Sequence, residues 1–353
     1  MRSASGPRPA TLTRPTARRF GVAALALATG LGLAACSGTG AQPASGGDEA
    51  APAALDAVQL IAPADPGGGW DQTARALGEV LTGEGLVGKA PVENIGGAGG
   101  TVGLAALANE KDPATLMVTG LVMVGAVETN ASQVRIEDVT PIARLTEEPL
   151  VVVVPSSSPY ESVGDLVDAI VKDGAAISVT GGSAGGADHI LAGMLVTEAG
   201  VDPADVPSTL NYIPNSGGGE AVTMLLGGTV QAGISGVGEF AEQVEAGELR
   251  ALAVSSGEPS ELLPEVPTLA DEGYDIELTN WRGLLAPPGI EDADRDALIE
   301  LVTELQASDA WTQTLADKGW SDAFLSGDEF QEFLDGNIAE VSDTLQTIGL
   351  VAK

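Results

Sequence analysis

Three glycine-rich segments, residues 63–71, 181–189 and 214–220, have the composition and spacing of a ligand-binding site. Each follows a short apolar run and precedes an amphipathic stretch, which predicts a turn from a strand into a helix. Glycine lets the backbone approach a ligand closely, and the N–H groups of the first helical turn favour a negative group. The three segments therefore predict an anion site built from backbone N–H groups.

The glycine segments do not match the two common nucleotide-binding motifs. None ends in Gly-Lys-Ser/Thr as a phosphate loop does, and none has the Gly-x-Gly-x-x-Gly spacing followed by an acid for the ribose. A nucleotide ligand is therefore disfavoured, and we expect no cofactor.

Ser183, Asp188 and His189 lie close together in the sequence and suggest a hydrolase as a rival interpretation. However, adjacent Asp and His side chains on a helix point in different directions, and no Gly-x-Ser-x-Gly turn precedes a helix. We therefore expect no catalysis. His189 is predicted to lie near the ligand or to bond the loop, or else to be purely structural, and the sequence leaves these roles open.

The charge of the chain and its rare residues exclude several classes of function. The 353 residues include 50 acidic and 16 basic side chains, and five of the basic ones are arginines within the first 35 residues. So acidic a body repels nucleic acid and anionic lipid headgroups. With one cysteine and one histidine, the chain cannot form an intramolecular disulfide or a Cys/His zinc site, and we expect no metal site.

The N-terminal segment is typical of an exported lipoprotein. Arginines precede an apolar run over residues 20–35, which at about 1.5 Å per residue is shorter than the roughly 30 Å hydrocarbon core of a membrane. The run ends in Leu-Ala-Ala before Cys36, which resembles a bacterial lipobox. We predict a signal peptide at residues 1–35, lipidation of Cys36, a flexible tether to residue 55, and a location on the outer face of the cytoplasmic membrane.

The rest of the sequence alternates apolar strand-like runs with amphipathic helix-like runs, which predicts an α/β fold with largely parallel sheets. The predicted strands are residues 58–62, 92–95, 115–119, 150–154, 177–180, 210–213, 230–234 and 252–254. The predicted helices are residues 70–81, 102–109, 162–171, 187–198 and 220–226. Residues 292–351 are helical in pattern throughout, and their aromatic side chains are predicted to be packing anchors.

At its glycine segments the sequence resembles the solute-binding proteins of tripartite tricarboxylate transporters, also called Bug-type receptors. The similarity is carried, in family order, by APADPGGGWDQTAR (62–75), VENIGGAGGTVG (92–103), SPYESVGDLVDAI (158–170), GGSAGGADH (181–189), GGGEAVTMLLGG (217–228), LRALAVSS (249–256) and VPTLADEGYDIELTNWRGLLAPPGI (266–290). These segments span nearly the whole body. The Gly-Gly-Gly-Trp-Asp form and Trp281-Arg282-Gly283 look closer to the citrate-type receptors than to the paralogues for dicarboxylates and aromatic acids.

The resemblance implies a two-lobed type II periplasmic binding protein fold with the ligand cleft between the lobes. Residues 56–149 and 276–353 would form lobe one, on which the C-terminal helices pack, and residues 150–275 would form lobe two. Such a receptor captures a citrate-like tricarboxylate and delivers it to two integral membrane permease subunits without catalysis. A dicarboxylate or an aromatic carboxylic acid is the alternative ligand, and a secreted hydrolase is the alternative from another class.

The resemblance also implies that one carboxylate sits on the first glycine segment and that the facing lobe contributes the second segment. Arg282 is a natural partner for a further carboxylate, because arginine pairs bidentately with carboxylates and only 11 basic residues follow the signal peptide. For Asp71, the sequence leaves open whether it orients the loop, binds the ligand through water or stabilises a helix start. The predicted ligand-binding residues are Gly67, Gly68, Gly69, Trp70, Asp71, Thr119, Gly120, Gly182, Ser183, Ala184, Gly185, His189, Ser216, Gly217, Ser235, Gly236, Trp281 and Arg282.

Overall fold

The structure, a computed structural model, describes residues 55–215 and 217–351. The predicted signal peptide, Cys36 and Ser216 lie outside the described residues. The strands are β1 (Gln59–Ala62), β2 (Val92–Asn94), β3 (Thr115–Gly120), β4 (Thr140–Pro155), β5 (Ser178–Gly181), β6 (Asn211–Pro214), β7 (Ala232–Gly236), β8 (Leu249–Val254), β9 (Thr279–Ala286) and β10 (Ser321–Ser326). The helices are α1 (Gly69–Gly83), α2 (Thr101–Leu107), α3 (Leu121–Thr129), α4 (Val163–Asp173), α5 (Ala187–Glu198), α6 (Val206–Thr209), α7 (Gly218–Leu226), α8 (Val237–Glu245), α9 (Asp292–Gln306), α10 (Asp309–Lys318) and α11 (Gly327–Thr347).

The long strand β4 joins two sheets. Its first part, up to Pro149, pairs antiparallel with β9 and β10. From Leu150 onward it pairs antiparallel with β7 and β8. The first sheet therefore runs in the order β2-β1-β3-β9-β4, and the second runs in the order β4-β7-β5-β6.

The prediction of parallel strands holds for the outer part of each sheet. Strands β1, β2 and β3 are parallel, as are β5, β6 and β7, whereas every pair that involves β4 or β9 is antiparallel. The sequence analysis missed residues 140–149 of β4 because two prolines and three charged side chains interrupt the apolar pattern there. The prediction that residues 292–351 are helical throughout is wrong at β10, which pairs with the first part of β4.

Each predicted glycine turn joins a strand to a helix. The first leads from β1 into α1, which begins at Gly69, and the second leads from β5 into α5, which begins at Ala187. The third leads from β6 into α7, which begins at Gly218. Because β5 and β6 are parallel neighbours, their helices start at the same edge of the second sheet, where ligands of α/β proteins bind.

The C-terminal helices cover the first sheet. Helices α9 and α11 pack on β4, and α10 packs on α1. Trp311, Trp320 and Phe330 are buried there, as predicted for packing anchors. The end of α11 reaches beyond this sheet, because Ile348 lies against Gly193 of α5. Among the helices of the described ranges, none has both the length and the apolar composition needed to cross a bilayer.

Candidate ligand-binding site

A cavity of about 190 Å³ lies where the glycine loops of the two sheets meet. The two sides are in contact at its edge, because a Cβ on Gly217 would lie 3.3 Å from the Gly68 Cα, and Thr129 Oγ1 donates a 3.2 Å hydrogen bond to the Ala184 carbonyl. Sites for drug-sized ligands occupy roughly 300–1,000 Å³, so this volume suits a small organic acid. The lining residues are Pro63, Ala64, Asp65, Gly69, Trp70, Gly97, Ala98, Gly99, Gly100, Val122, Gly182, Ser183, Asp188, Asn215, Gly217, Ser235, Glu239, Asn280 and Arg282.

The first glycine loop is held in place by Asp71, the third residue of α1. Its carboxylate accepts hydrogen bonds from the Gly67 N–H at 2.9 Å and from the Asn94 amide at 2.8 Å, and it pairs with Arg75. Burial alone raises the pKa of Asp71, but the hydrogen bonds from Arg75 and Asn94 outweigh burial and lower this pKa below its ordinary value. Asp71 therefore bonds the backbone of the loop, and it pairs with Arg75 outside the cavity.

The second glycine loop carries an acid that lines the cavity, Asp188. The Gly182 N–H donates a 2.5 Å hydrogen bond to its carboxylate. Burial raises the pKa of Asp188 to about 7, and the negative charges of Glu239 and Glu148 add to the rise. The two loops share a strand-to-helix geometry, but only the second places its helix-start acid in the cavity.

His189 does not line the cavity but supports the second loop. Its ring stacks on that of Tyr212 with the centroids 4.1 Å apart, and its Nδ1 accepts a 3.1 Å hydrogen bond from the Gly185 N–H. Burial lowers the pKa of His189 to about 4, so the ring is neutral near pH 7. Of the roles that the sequence leaves open, the geometry shows the bond to the loop. Because Nδ1 is occupied in this way, it is not placed to act as a base for Ser183.

Glu239, in the first turn of α8, places a second carboxylate in the cavity. The Ser235 hydroxyl and the Gly218 N–H both donate hydrogen bonds to it. These donors come from the end of β7 and from the start of α7, so the carboxylate is fixed between two elements of the second sheet. Its position is set by the protein before a ligand enters.

Strand β9 supplies the one cation among the described residues that line the cavity, Arg282. Successive side chains of a strand point to opposite faces, so Asn280 and Arg282 face the cavity while Trp281 faces away from it. Arg282 is 3 % exposed and forms an ion pair with buried Glu148 of β4. Burial raises the pKa of Glu148 and the guanidinium opposes this rise, so Arg282 helps to keep the carboxyl ionised.

Several polar atoms at this point of the cavity have no hydrogen-bond partner within the part of the chain that the structure describes. They are Arg282 Nε, Arg282 Nη1 and Asn280 Oδ1. Because an unpaired buried polar group costs free energy, these atoms mark places where a ligand gains by binding.

Two glycines make room for the buried ion pair. A Cβ on Gly69 would lie 2.7 Å from Arg282 Nη2, and a Cβ on Gly236 would collide with the Glu148 carboxylate. The backbone of the first glycine loop therefore passes directly over the guanidinium.

The structure brings seven of the predicted residues to the cavity: Gly69, Trp70, Gly182, Ser183, Gly217, Ser235 and Arg282. Gly67 and Gly68 line a neighbouring depression that shares Gly217.

Other predicted residues lie outside the cavity lining. Thr119 bonds the sulfur of Met123, and Gly120 packs against the Trp281 carbonyl. Gly185, like Ala184, contacts Thr129. Trp281 itself lines a second cavity, where its indole N–H donates to Asn337.

Sequence reasoning missed several lining residues. Residues 97–100 belong to a segment that carried the family resemblance, and their three glycines were the signal that pointed to them. Asp188 was considered only as a catalytic partner. Glu239 and Asn280 belong to no motif, and only the packing of α8 and β9 brings them to the cavity. Within residues 55–215 and 217–351, no group of three or more His, Cys, Asp or Glu side chains is placed to hold a metal ion.

Comparisons with known proteins agree on one family and one fold. A family profile described as "Tripartite tricarboxylate transporter family receptor" matches residues 75–350. The chain is 28 % identical to Protein BugT of Bordetella pertussis over 306 residues, which is 84 % of this chain and 90 % of BugT.

Two solved structures from Rhodopseudomonas palustris have the same fold. MatC with bound malate superposes with a TM-score of 0.70 at 22 % identity and covers 82 % of this chain and 98 % of MatC. A second protein, solved with adipate, gives a TM-score of 0.73 at 23 % identity and covers 83 % of this chain and 97 % of its own length.

Proposed function

The chain belongs to the tripartite tricarboxylate transporter receptor family, and from this we propose that it captures a carboxylate and presents it to a membrane permease. The family is one of substrate-binding receptors, and the fold is the two-lobed type II periplasmic binding protein fold. We expect no bond of the ligand to be made or broken. The permease partners are two integral membrane subunits, as the family resemblance implies.

One observation carries the proposal: three glycine loops at helix starts and a buried arginine with unpartnered donors share a single small cavity. Backbone N–H groups at helix starts and a guanidinium are the donors that bind carboxylates in proteins. This arrangement holds an anion although the chain has few basic residues.

The division into lobes is part of the proposal. We assign residues 56–149 and 276–353 to lobe one and residues 150–275 to lobe two. The change of pairing partners along β4, from β9 to β7 at Leu150, supports the first crossing. The cavity would then close as the lobes approach, and the Thr129–Ala184 hydrogen bond would be one contact of the closed form.

A citrate-like tricarboxylate is the ligand that the sequence resemblance favours. A dicarboxylate is the second candidate, and one specific observation favours it. Arg282, expected to bind a further carboxylate, is already paired with Glu148, which leaves the cavity less positive than a trianion requires. The malate and adipate in the two related structures are also dicarboxylates.

We further propose that the mature chain is anchored through acylated Cys36 on the outer face of the cytoplasmic membrane. This rests on the basic segment, the short apolar run and the Leu-Ala-Ala-Cys sequence that ends it. Replacement Cys36→Ser should release the protein from the membrane fraction or leave its signal peptide uncleaved. Membrane retention with normal processing would contradict the anchor.

Mass spectrometry of molecules co-purified with the mature protein tests the receptor function most directly, followed by titration calorimetry with citrate, malate and adipate. A small organic acid should be released on denaturation, and at least one of the three compounds should bind. The receptor proposal fails if only uncharged molecules co-purify and none of the three acids gives a heat of binding.

A further inference from the structure

The polar groups that line the cavity include both hydrogen-bond donors and hydrogen-bond acceptors. Donors come from the glycine loops and from Arg282, whose Nη2 is already bonded to Glu148. Acceptor oxygens come from several side chains of the lining, and we call three of them, Asn280, Asp188 and Glu239, the acceptor subsite. Because Arg282 is already paired with Glu148, no unpaired cation among the described lining residues faces the acids of the cavity.

Asn280 identifies the kind of group that this side of the cavity requires. Asn280 is 8 % exposed, and its side-chain amide N–H donates a hydrogen bond to the Glu148 carboxylate. Its Oδ1 has no partner among residues 55–215 and 217–351. A buried carbonyl oxygen gains free energy only when a donor reaches it.

The carboxylates of the acceptor subsite are held in fixed positions. Glu239 accepts hydrogen bonds from Ser235 and Gly218, and Asp188 accepts one from Gly182. A ligand that carries carboxylates alone would satisfy Arg282 but would leave Asn280 Oδ1 unpaired. It would also bring like charges toward Glu239 in a poorly solvated space.

We propose, on the basis of the receptor function above, that the acceptor subsite takes an N–H or O–H donor of the bound ligand. The glycine loops and the unpartnered Nε and Nη1 of Arg282 hold its carboxylate. The ligand class is therefore a carboxylate that also carries a hydroxyl or an ammonium group. This orientation uses every unpartnered polar atom of Asn280 and Arg282.

Titration calorimetry at fixed pH and salt tests the inference with two matched sets of acids. Succinate, malate and aspartate share one carbon skeleton and differ in a hydrogen, hydroxyl or ammonium group, and tricarballylate differs from citrate only by the hydroxyl. The donor-bearing acids should bind about 10- to 100-fold tighter than their parents, the range of a hydrogen bond to a charged group. Equal affinities within both sets would overturn the subsite and leave the receptor function intact. No binding of any of the five acids would overturn the subsite, whereas the receptor function is judged separately by the co-purified molecules and by adipate.

Three variants locate the effect and identify the donor. Asn280→Leu should reduce the advantage of malate and aspartate over succinate to about twofold, and an undiminished advantage would overturn the assignment. Glu239→Gln should weaken aspartate about tenfold but malate little if the natural donor is an ammonium, because the amide oxygen still accepts from a hydroxyl. Glu242→Gln removes the same charge from an exposed position of α8 and is the control. An equal effect of Glu242→Gln would attribute the result to long-range charge and overturn the subsite.

Discussion

The first and second glycine loops are built alike but place their acids differently. Each leads from a strand into a helix whose first turn carries an aspartate, Asp71 in α1 and Asp188 in α5. Each aspartate accepts a hydrogen bond from a loop N–H. Asp71, however, is paired with Arg75 outside the cavity, whereas Asp188 lines the cavity beside Glu239.

The difference shows that a glycine turn at a helix start does not by itself determine whether the groups that line a binding site are positively or negatively charged. Where a cation outside the cavity pairs with the helix-start acid, as Arg75 does with Asp71, that acid does not line the cavity. Where no such cation is close, the acid itself becomes part of the lining. Among the described lining residues, the first side has one acid, Asp65, and we call it the donor-rich side, whereas the second has two, Asp188 and Glu239, and we call it the acid-rich side. Arg282 also lines the cavity.

The largest effect is expected from Arg282→Ala, which removes the one cation among the described residues that line the cavity. Glu148 would be left buried and unpaired, so the free energy of unfolding should fall by about 3–5 kcal/mol. Carboxylate affinity should fall as well, because the guanidinium donors are lost. Urea denaturation and titration calorimetry on the same preparation measure the two effects.

The double variant Arg282→Met with Glu148→Leu is the control for this result. Replacing a buried ion pair by apolar side chains is often close to neutral for stability. Stability should therefore recover while carboxylate affinity stays low. If the double variant is as unstable as Arg282→Ala, an uncompensated charge is not the cause of the loss.

The acid-rich side should give the stability of the protein a distinctive pH dependence. The pKa of Asp188 is about 7 in the fold, against an ordinary value of 3.8, because burial disfavours the charged form. Between about pH 4 and pH 7 the unfolded chain releases a proton that the folded protein keeps, so this group destabilises the fold as the pH rises. Melting temperatures of the wild type and of Asp188→Asn across this window should diverge, with the wild type losing more stability toward pH 7. Parallel curves would show that Asp188 is not buried as described.

His189, next in the sequence, should act in the opposite direction. Its pKa is about 4 in the fold, against 6.5 ordinarily, because burial disfavours the imidazolium. Between pH 6.5 and pH 4 the unfolded chain takes up a proton that the folded protein does not, so this contribution to stability is lost as the pH falls. Since the chain has one histidine, its ring protons can be followed by NMR without overlap. A titration midpoint near 6.5 would contradict the burial of the ring.

The glycine turns and their helices could be predicted because their signals are local. Apolar runs next to glycine clusters predict the ends of β1, β5 and β6 to within one residue. The predicted bounds of α5 are the same as those in the structure. The first part of β4 and all of β9 could not be located in this way. Charged side chains of the two strands pair with each other, as Arg282 does with Glu148, and such pairing depends on contacts that a local pattern does not contain.

The candidate site was predictable to the extent that backbone loops form it. Glu239 and Asn280 reach the cavity through contacts between distant segments, such as the register that sets Asn280 opposite Glu148. The side-chain alternation of a strand would have separated Arg282 from Trp281, but only once residues 279–286 were recognised as a strand. The acids of the second side of the cavity, Asp188 and Glu239, were therefore not predicted as ligand-binding residues from the sequence.

The smallest effect is expected from Asp71→Asn on the donor-rich side. Arg75 is about half exposed, so its pairing with Asp71 adds little, and the loss in free energy of unfolding should be about 1 kcal/mol. Carboxylate affinity should fall in addition, because the Asp71 carboxylate holds the Gly67 N–H and with it the loop. Calorimetric titration and thermal unfolding measure the two changes separately.

Asp165→Asn is the matched control for this last change. Asp165 is also the third residue of its helix and also accepts backbone N–H groups, but it lies in α4 and does not line the cavity. It should lower stability and leave affinity unchanged, because only the helix start is affected. If Asp71→Asn behaves in the same way, Asp71 merely stabilises a helix start. The first loop would then owe its donor-rich character to its glycines alone, and the contrast with Asp188 would not depend on Arg75.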